Sequence, residues 1–176
     1  MNEGYNIVEK ALNFATEAHK GQARKYTGEP YITHAIAVAQ LVEEVGGSYM
    51  AIAAALLHDT VEDTSVTNED IQRNFGCYVA VWVENLTDVS KLEDGSRAVR
   101  KEMDRQHTFI ALPPAKTIKL ADLIHNSISI IEHAPGFAKI YMAEKRLLLE
   151  VLKEGNSTLY EKATKIVDDY FRKAKI

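Results

Sequence analysis

Cysteine is nearly missing from this chain: among its 176 residues only Cys77 carries a thiol. No internal disulfide can form, which suits a reducing cytoplasm, and a metal site built from thiolates is excluded. Long apolar runs are absent too, and the longest falls far short of a membrane span. The first residues, MNEGYNIVEKALNF, lack a basic segment followed by an apolar one and do not read as a signal peptide. Charge of one sign is not in excess. The net charge of −4 exerts no global pull toward nucleic acid or an anionic membrane, so recognition of phosphate must be local. There are no internal repeats, low-complexity tracts or obvious linkers. The apolar fraction of 46% and charged fraction of 26% are those of an ordinary globular protein. The length suffices for one domain with a substantial core, so residues 1–176 are expected to form a single cytoplasmic domain.

Strand signals are equally scarce. Ile7, Val8, Ala11, Leu12, Ala15 and Ala18 follow three-four spacing and predict a helix from Tyr5 to about Lys20, stopped by Gly21. Residues 22–32 carry Gly28 and Pro30 and read as a loop. A second helix is expected from Thr33 to Val45, ending at Gly46-Gly47. Ser48 can cap a third, YMAIAAALLHDT, which is apolar on nearly every face. Thr67 with Asp70 forms a capping-box pattern for a short helix ending near Gly76. CYVAVWVENLTDV is rich in β-branched residues but has no partner strand, so helix is the better assignment. After an exposed loop at 90–96, Ser96 caps a helix through Leu112. Pro113 and Pro114 open the next, AKTIKLADLIHNSISII, and EHAPG reads as a turn. Amphipathic helices at about 137–154 and 158–173 follow. The fold class is all-α, with about eight helices around one core.

Between residues 26 and 72 there is no lysine or arginine. That gap contains AALLHDTVEDT, an apolar run ending in His58, Asp59, Glu62 and Asp63. In a continuous helix the three acids would stand one turn apart, repelling by a few tenths of a kcal/mol per pair, at the negative end of the helix dipole. Two readings compete: a solvated acidic loop, or a group of side chains that a divalent cation neutralises. His34, near the start of the second helix, can be a plain core histidine. Asp122, between Ala121 and Leu123 in an apolar helix, must be paired, protonated or metal-bound. Together, two imidazoles and two carboxylates suit a borderline cation such as manganese, iron or zinc in a catalytic setting.

The ordered set His34, His58-Asp59 and Asp122 resembles the H…HD…D signature of the HD-domain phosphohydrolases. AHKGQARKYTGEPYITH, AALLHDTVEDT and KLADLIHN are similar to the hydrolase domain of RelA/SpoT-type (p)ppGpp hydrolases, over roughly residues 5–135. The resemblance implies a stand-alone small alarmone hydrolase that releases pyrophosphate from the 3′ position of ppGpp or pppGpp. It implies Mn2+ bound by His34, His58, Asp59 and Asp122. Glu62 and Asp63 would orient the attacking water and manage its proton, while Arg24, Lys25 and Asn126 would contact the nucleotide. Lys20, Lys116 and Lys119 are further cations for a cleft that must attract a polyanion, and His19 suits a structural place at a helix end. His34 is followed by Ala35 where the family usually has proline, and SISII after Asn126 lacks the usual Met and Arg character. The alternatives keep the fold: an HD hydrolase of ppApp, NADPH or a dNTP, or a catalytically silent nucleotide-binding module.

Overall fold

The computed structural model describes residues 3–174. Among these, ten α-helices and one 3-10 turn account for the regular structure, with no strand beyond an isolated antiparallel bridge, Ala23–Pro30. The chain forms two compact units, one up to Thr87 and one from Asp88 onward.

The first unit holds α1 (Glu3–Ala18), α2 (Ile32–Glu44), α3 (Tyr49–Leu57), α4 (Thr60–Asp63), α5 (Asn68–Phe75) and α6 (Cys77–Leu86). α3 is the hub because it offers an apolar surface in every direction: every residue from Ala51 to Leu57 is buried. It packs against α1, α2 and α6, and the small side chains of Ala11, Ala15, Ala53 and Ala54, all fully buried, permit close approach. Ser48 caps α3, its Oγ accepting from Ala51 N at 3.2 Å. The capping box at Thr67 and Asp70 forms as its pattern predicts, and α5 ends at Gly76, whose φ of 85° favours glycine. CYVAVWVENL is a helix, its Val79, Ala80, Trp82, Val83 and Leu86 turned into the core.

One boundary differs from expectation. The third helix does not run through HDT but stops at Leu57. The Thr60 hydroxyl donates to the Leu57 carbonyl at 2.7 Å, capping the helix end, and Asp59 sits at φ −97°, ψ −4°. The chain then re-forms a single helical turn, α4, whose Asp63 N donates to Asp59 O at 2.9 Å. His58 and Asp59 therefore stand at a joint between two helices, and Glu62 and Asp63 belong to the far side of it.

The second unit contains the 3-10 turn Leu92–Asp94, α7 (Arg97–Phe109), α8 (Pro113–His133), α9 (Pro135–Leu149) and α10 (Ser157–Lys173). α8 carries the core residues Ile118, Leu120, Leu123 and Ile124 and packs against α9 and α10. Burying one such side chain contributes roughly 1.5–3 kcal/mol. The expected EHAPG turn contracts to Ala134 (φ −137°, ψ 55°): α8 continues to His133 and α9 begins at Pro135, a residue that suits a first helical turn. Among the described residues no helix is long and apolar enough to cross a membrane.

Candidate metal centre

The joint after α3 and the first turn of α2 bring His34, His58 and Asp59 together. One ligand atom from each lies within 4.8 Å of the others. Both histidines are buried, and their rings meet edge to face with centroids 5.1 Å apart. His58 Nδ1 lies 2.8 Å from the Ala55 carbonyl, an acceptor, so this nitrogen carries the proton and Nε2 points the other way. There it meets Asp59 Oδ2 at 2.9 Å, while His34 Nε2 lies 3.5 Å from the same oxygen.

That convergence fits a cation. With Nδ1–H committed to the backbone, a neutral His58 directs a lone pair at a carboxylate oxygen. Such a contact needs a proton on Nε2 or a positive ion shared by both atoms. Two imidazole nitrogens and a carboxylate suit a divalent metal, and thiolates are not involved.

Around this point the 22–31 segment supplies a collar. It folds back through Arg24 N to Glu29 O at 2.8 Å and Tyr31 N to Gln22 O at 3.0 Å, with Gly28 at φ 73° in the turn. Tyr31, at its end, donates its hydroxyl to Asp59 Oδ2 at 2.6 Å. Its ring stacks on His19, centroids 4.5 Å apart, and meets His34 edge-on at 5.8 Å. His19 is buried, with Nδ1 2.8 Å from Gln22 Oε1, which agrees with a structural place at the end of α1. Gln22 in turn donates through Nε2 to the Asp63 carbonyl at 2.8 Å, tying the collar to α4.

Glu62 and Asp63 lie exposed on α4. Partial enclosure of the Asp63 carboxyl, reinforced by the negative charge of Asp59, holds its pKa above the ordinary value. The Tyr31 hydroxyl, His19 and His58 pull the other way without cancelling the rise. Arg24 extends its guanidinium 5.7 Å from the centre of the Tyr31 ring, whereas Lys25 is exposed beside Tyr26.

Two expected site residues belong to the second unit. Asp122 and Asn126 share a face of α8, and Asn126 Nδ2 donates to Asp122 Oδ1 at 2.6 Å. Of the further cations, Lys116 is fully buried and committed, donating to Phe109 O at 2.8 Å and to Glu154 Oε2 at 2.5 Å. It is a structural lysine. Lys20 is exposed and pairs with Glu17.

Tyr31 and Gln22 are the residues that sequence reasoning passed over. Tyr31 stands three residues before His34, so it precedes the ligand by one turn of chain, but a tyrosine in PYITH carries no charge to draw attention. Gln22 sits in a loop whose fold the sequence does not specify.

The matched family model is the HD domain, over residues 11–135, a span that runs through both units. The chain belongs to the HD-domain family, and a divalent metal follows from that membership together with the His34, His58 and Asp59 cluster. Among relatives, the guanosine-3′,5′-bis(diphosphate) 3′-pyrophosphohydrolase MESH1 of Xenopus tropicalis is 40% identical over 129 residues, covering 72% of this chain and 70% of its own length. A GTP pyrophosphokinase of Streptomyces coelicolor is 40% identical over 120 residues, covering 68% of this chain but 14% of its own. The chain thus spans only a small part of several of the longer relatives it matches. A solved structure, of a metazoan ortholog of SpoT that hydrolyzes ppGpp and plays a role in starvation responses, superposes with a TM-score of 0.83 at 27% identity. That match covers 96% of this chain and 95% of the other.

Proposed function

We propose that this chain is a cytoplasmic, metal-dependent hydrolase that removes the 3′-pyrophosphate of ppGpp or pppGpp, leaving GDP or GTP. The observation that carries the reading is the meeting of His34 Nε2, His58 Nε2 and Asp59 Oδ2 in a chain with a 40% identical relative named for that activity. His34, His58 and Asp59 would hold the cation. Asp122 is proposed as the fourth ligand on the strength of its KLADLIHN motif, and Mn2+ as the native metal. When bound, the metal supplies Lewis-acid polarisation of a phosphoryl oxygen and a more acidic water.

The protein's own residues do the rest. The Ala55 carbonyl fixes the His58 tautomer, and Tyr31 fixes the orientation of Asp59. Glu62 and Asp63 orient the attacking water, and the Asp63 carboxylate accepts its proton. A carboxyl pKa raised by partial desolvation and by the charge of Asp59 makes a better base than an aspartate at the ordinary value. Arg24, Lys25 and Asn126 contact the nucleotide, with Arg24 suited both to stacking and to phosphate. One domain comprising residues 1–176 would carry the activity.

Turnover of ppGpp, ppApp, NADPH and dNTPs, followed through the nucleotide product and the phosphate or pyrophosphate released, measured with the Mn2+-loaded protein and with Asp59→Ala, tests this. We expect turnover of ppGpp, abolished together with metal content in Asp59→Ala. Turnover confined to another nucleotide would overturn the substrate. Tight alarmone binding without turnover would favour the silent module.

A further inference from the structure

α4 is a helix of four residues, Thr60–Asp63, and a single turn of helix does not hold itself together in water. Of the four only Thr60 is buried, so packing anchors the start of the turn and not its end. In a continuing helix the Asp63 carbonyl would accept from the amide of residue 67. Here the chain leaves the helix at Thr64, which is extended at φ −135°, ψ −172°, and Thr67 N donates to Asp70 Oδ2 at 3.0 Å instead. The orphaned carbonyl is taken by Gln22, 41 residues earlier in the chain, whose Nε2 donates to it at 2.8 Å.

Gln22 is itself tied down by its remaining polar groups. Its N donates to His19 O at 3.0 Å, and its O accepts from Tyr31 N at 3.0 Å. The side-chain Oε1 lies 2.8 Å from His19 Nδ1. A carbonyl only accepts, so the Gln22 amide turns its NH2 toward Asp63 and its oxygen toward His19, whose Nδ1 therefore carries a proton. His19 is buried, and its ring stacks on Tyr31 with centroids 4.5 Å apart. The Gln22 side chain is thus a short strut between a buried frame and the otherwise loose end of α4. Tyr31 rises from the same frame and holds Asp59 Oδ2 at 2.6 Å. One tie serves a metal ligand, and the other serves the turn that carries Glu62 and Asp63.

We propose that Gln22 is a positioning residue for the hydrolysis: it holds the end of α4 so that the Asp63 carboxylate stands where it can take the proton of the attacking water. This role rests on the function proposed above for Asp63. Gln22 acts through the backbone, since its contact is the Asp63 carbonyl and not the carboxylate. A proton acceptor works only within hydrogen-bond reach of its water, and a displacement of about 1 Å can cost roughly a hundredfold in rate.

Turnover of ppGpp and metal affinity are compared for the metal-loaded wild type, Gln22→Ala and Gln22→Glu, each with and without Asp63→Asn. Gln22→Glu keeps the shape of the side chain and an acceptor for His19 but removes the donor to Asp63. Both Gln22 variants are expected to lower kcat roughly tenfold or more, with kcat/KM falling in step. Metal affinity is retained, because Tyr31 still holds Asp59. In the Asp63→Asn background neither variant lowers kcat further, since the strut has lost the group it places. A purely structural role would lower kcat in both backgrounds. Exchange of the Asp63 amide with solvent deuterium needs no turnover, and it should quicken about fivefold in Gln22→Ala, the equivalent of one lost hydrogen bond. Full kcat in Gln22→Ala, an equal loss in both backgrounds, or an unchanged exchange rate at Asp63 would overturn the proposal. Turnover lost in Asp63→Asn but intact in Gln22→Ala would sink it and leave the proposed function standing. Quickened exchange in a protein inactive on ppGpp would refute the proposed function, and with it the role in hydrolysis, while leaving the tie between Gln22 and α4 intact.

Discussion

Tyr31 donates its hydroxyl to Asp59 Oδ2 over 2.6 Å, and so fixes a carboxylate oxygen that touches both His34 and His58. A hydrogen bond of this kind orients a metal ligand from outside the metal's own coordination. Tyr31→Phe keeps the ring's stack on His19 and removes only the hydroxyl. Metal affinity is expected to fall about ten- to a hundredfold, as when other outer partners of metal ligands are lost. Competition with a metallochromic chelator measures it, and unchanged affinity would mean that Asp59 is held by its backbone alone.

Metal removal is the second test. Dialysis against a chelator is expected to abolish pyrophosphate release from ppGpp, and Mn2+ should restore it in preference to Mg2+. Imidazole donors suit manganese, whereas magnesium favours an all-oxygen shell. Full activity in excess chelator would remove the metal from the mechanism.

Gly47 joins α2 to α3, the two helices that deliver the histidines. A Cβ added there would lie 2.5 Å from Val42 Cγ1 and 2.7 Å from the Val42 carbonyl oxygen, and a helix backbone cannot retreat cheaply. Gly47→Ala is expected to cost about 1–3 kcal/mol, as overpacking does. Chemical denaturation would show it, and a cost below about 0.5 kcal/mol would mean that the turn relaxes freely.

Acid should weaken the second unit through Asp88. Burial presses the Asp88 carboxyl upward, but Lys119 and Lys101 outweigh it, and its pKa is lowered from the ordinary 3.8. A carboxyl with a depressed folded pKa contributes stability that is complete above its unfolded value and is lost as pH falls through the folded one. Asp88→Asn should therefore lower stability at pH 7, and the gap from wild type should close as pH drops below 3.8 toward the lowered value. Thermal unfolding across that range reads it; a gap constant with pH would exclude the ion pairs as its cause.

Much of this molecule is legible in its sequence. Helix positions followed from three-four spacing, and the caps at Ser48 and Thr67 followed from their side chains, because these are local interactions. The helical state of CYVAVWVENL was legible only by elimination, since its β-branched residues favour the other answer locally. Motif order groups His34 with His58 and Asp59, and the first unit places one ligand atom of each within 4.8 Å of the others.

Other features had no local signal. The break after Leu57 depends on the Thr60 hydroxyl finding a carbonyl, in a segment whose pattern continues as helix. Tyr31 acquires its role only when a loop folds its ring between His19 and His34. Lys116 and Lys145 are both lysines on helices of the second unit, yet one is locked to Glu154 and Phe109 and the other faces a cavity. Sequence alone determined the elements, their caps and the kinds of donor available, because periodicity and residue chemistry act over one or two turns. Tertiary structure alone decided which groups are buried, paired or left with surplus charge, because desolvation and Coulomb energies depend on distances between segments far apart in the chain.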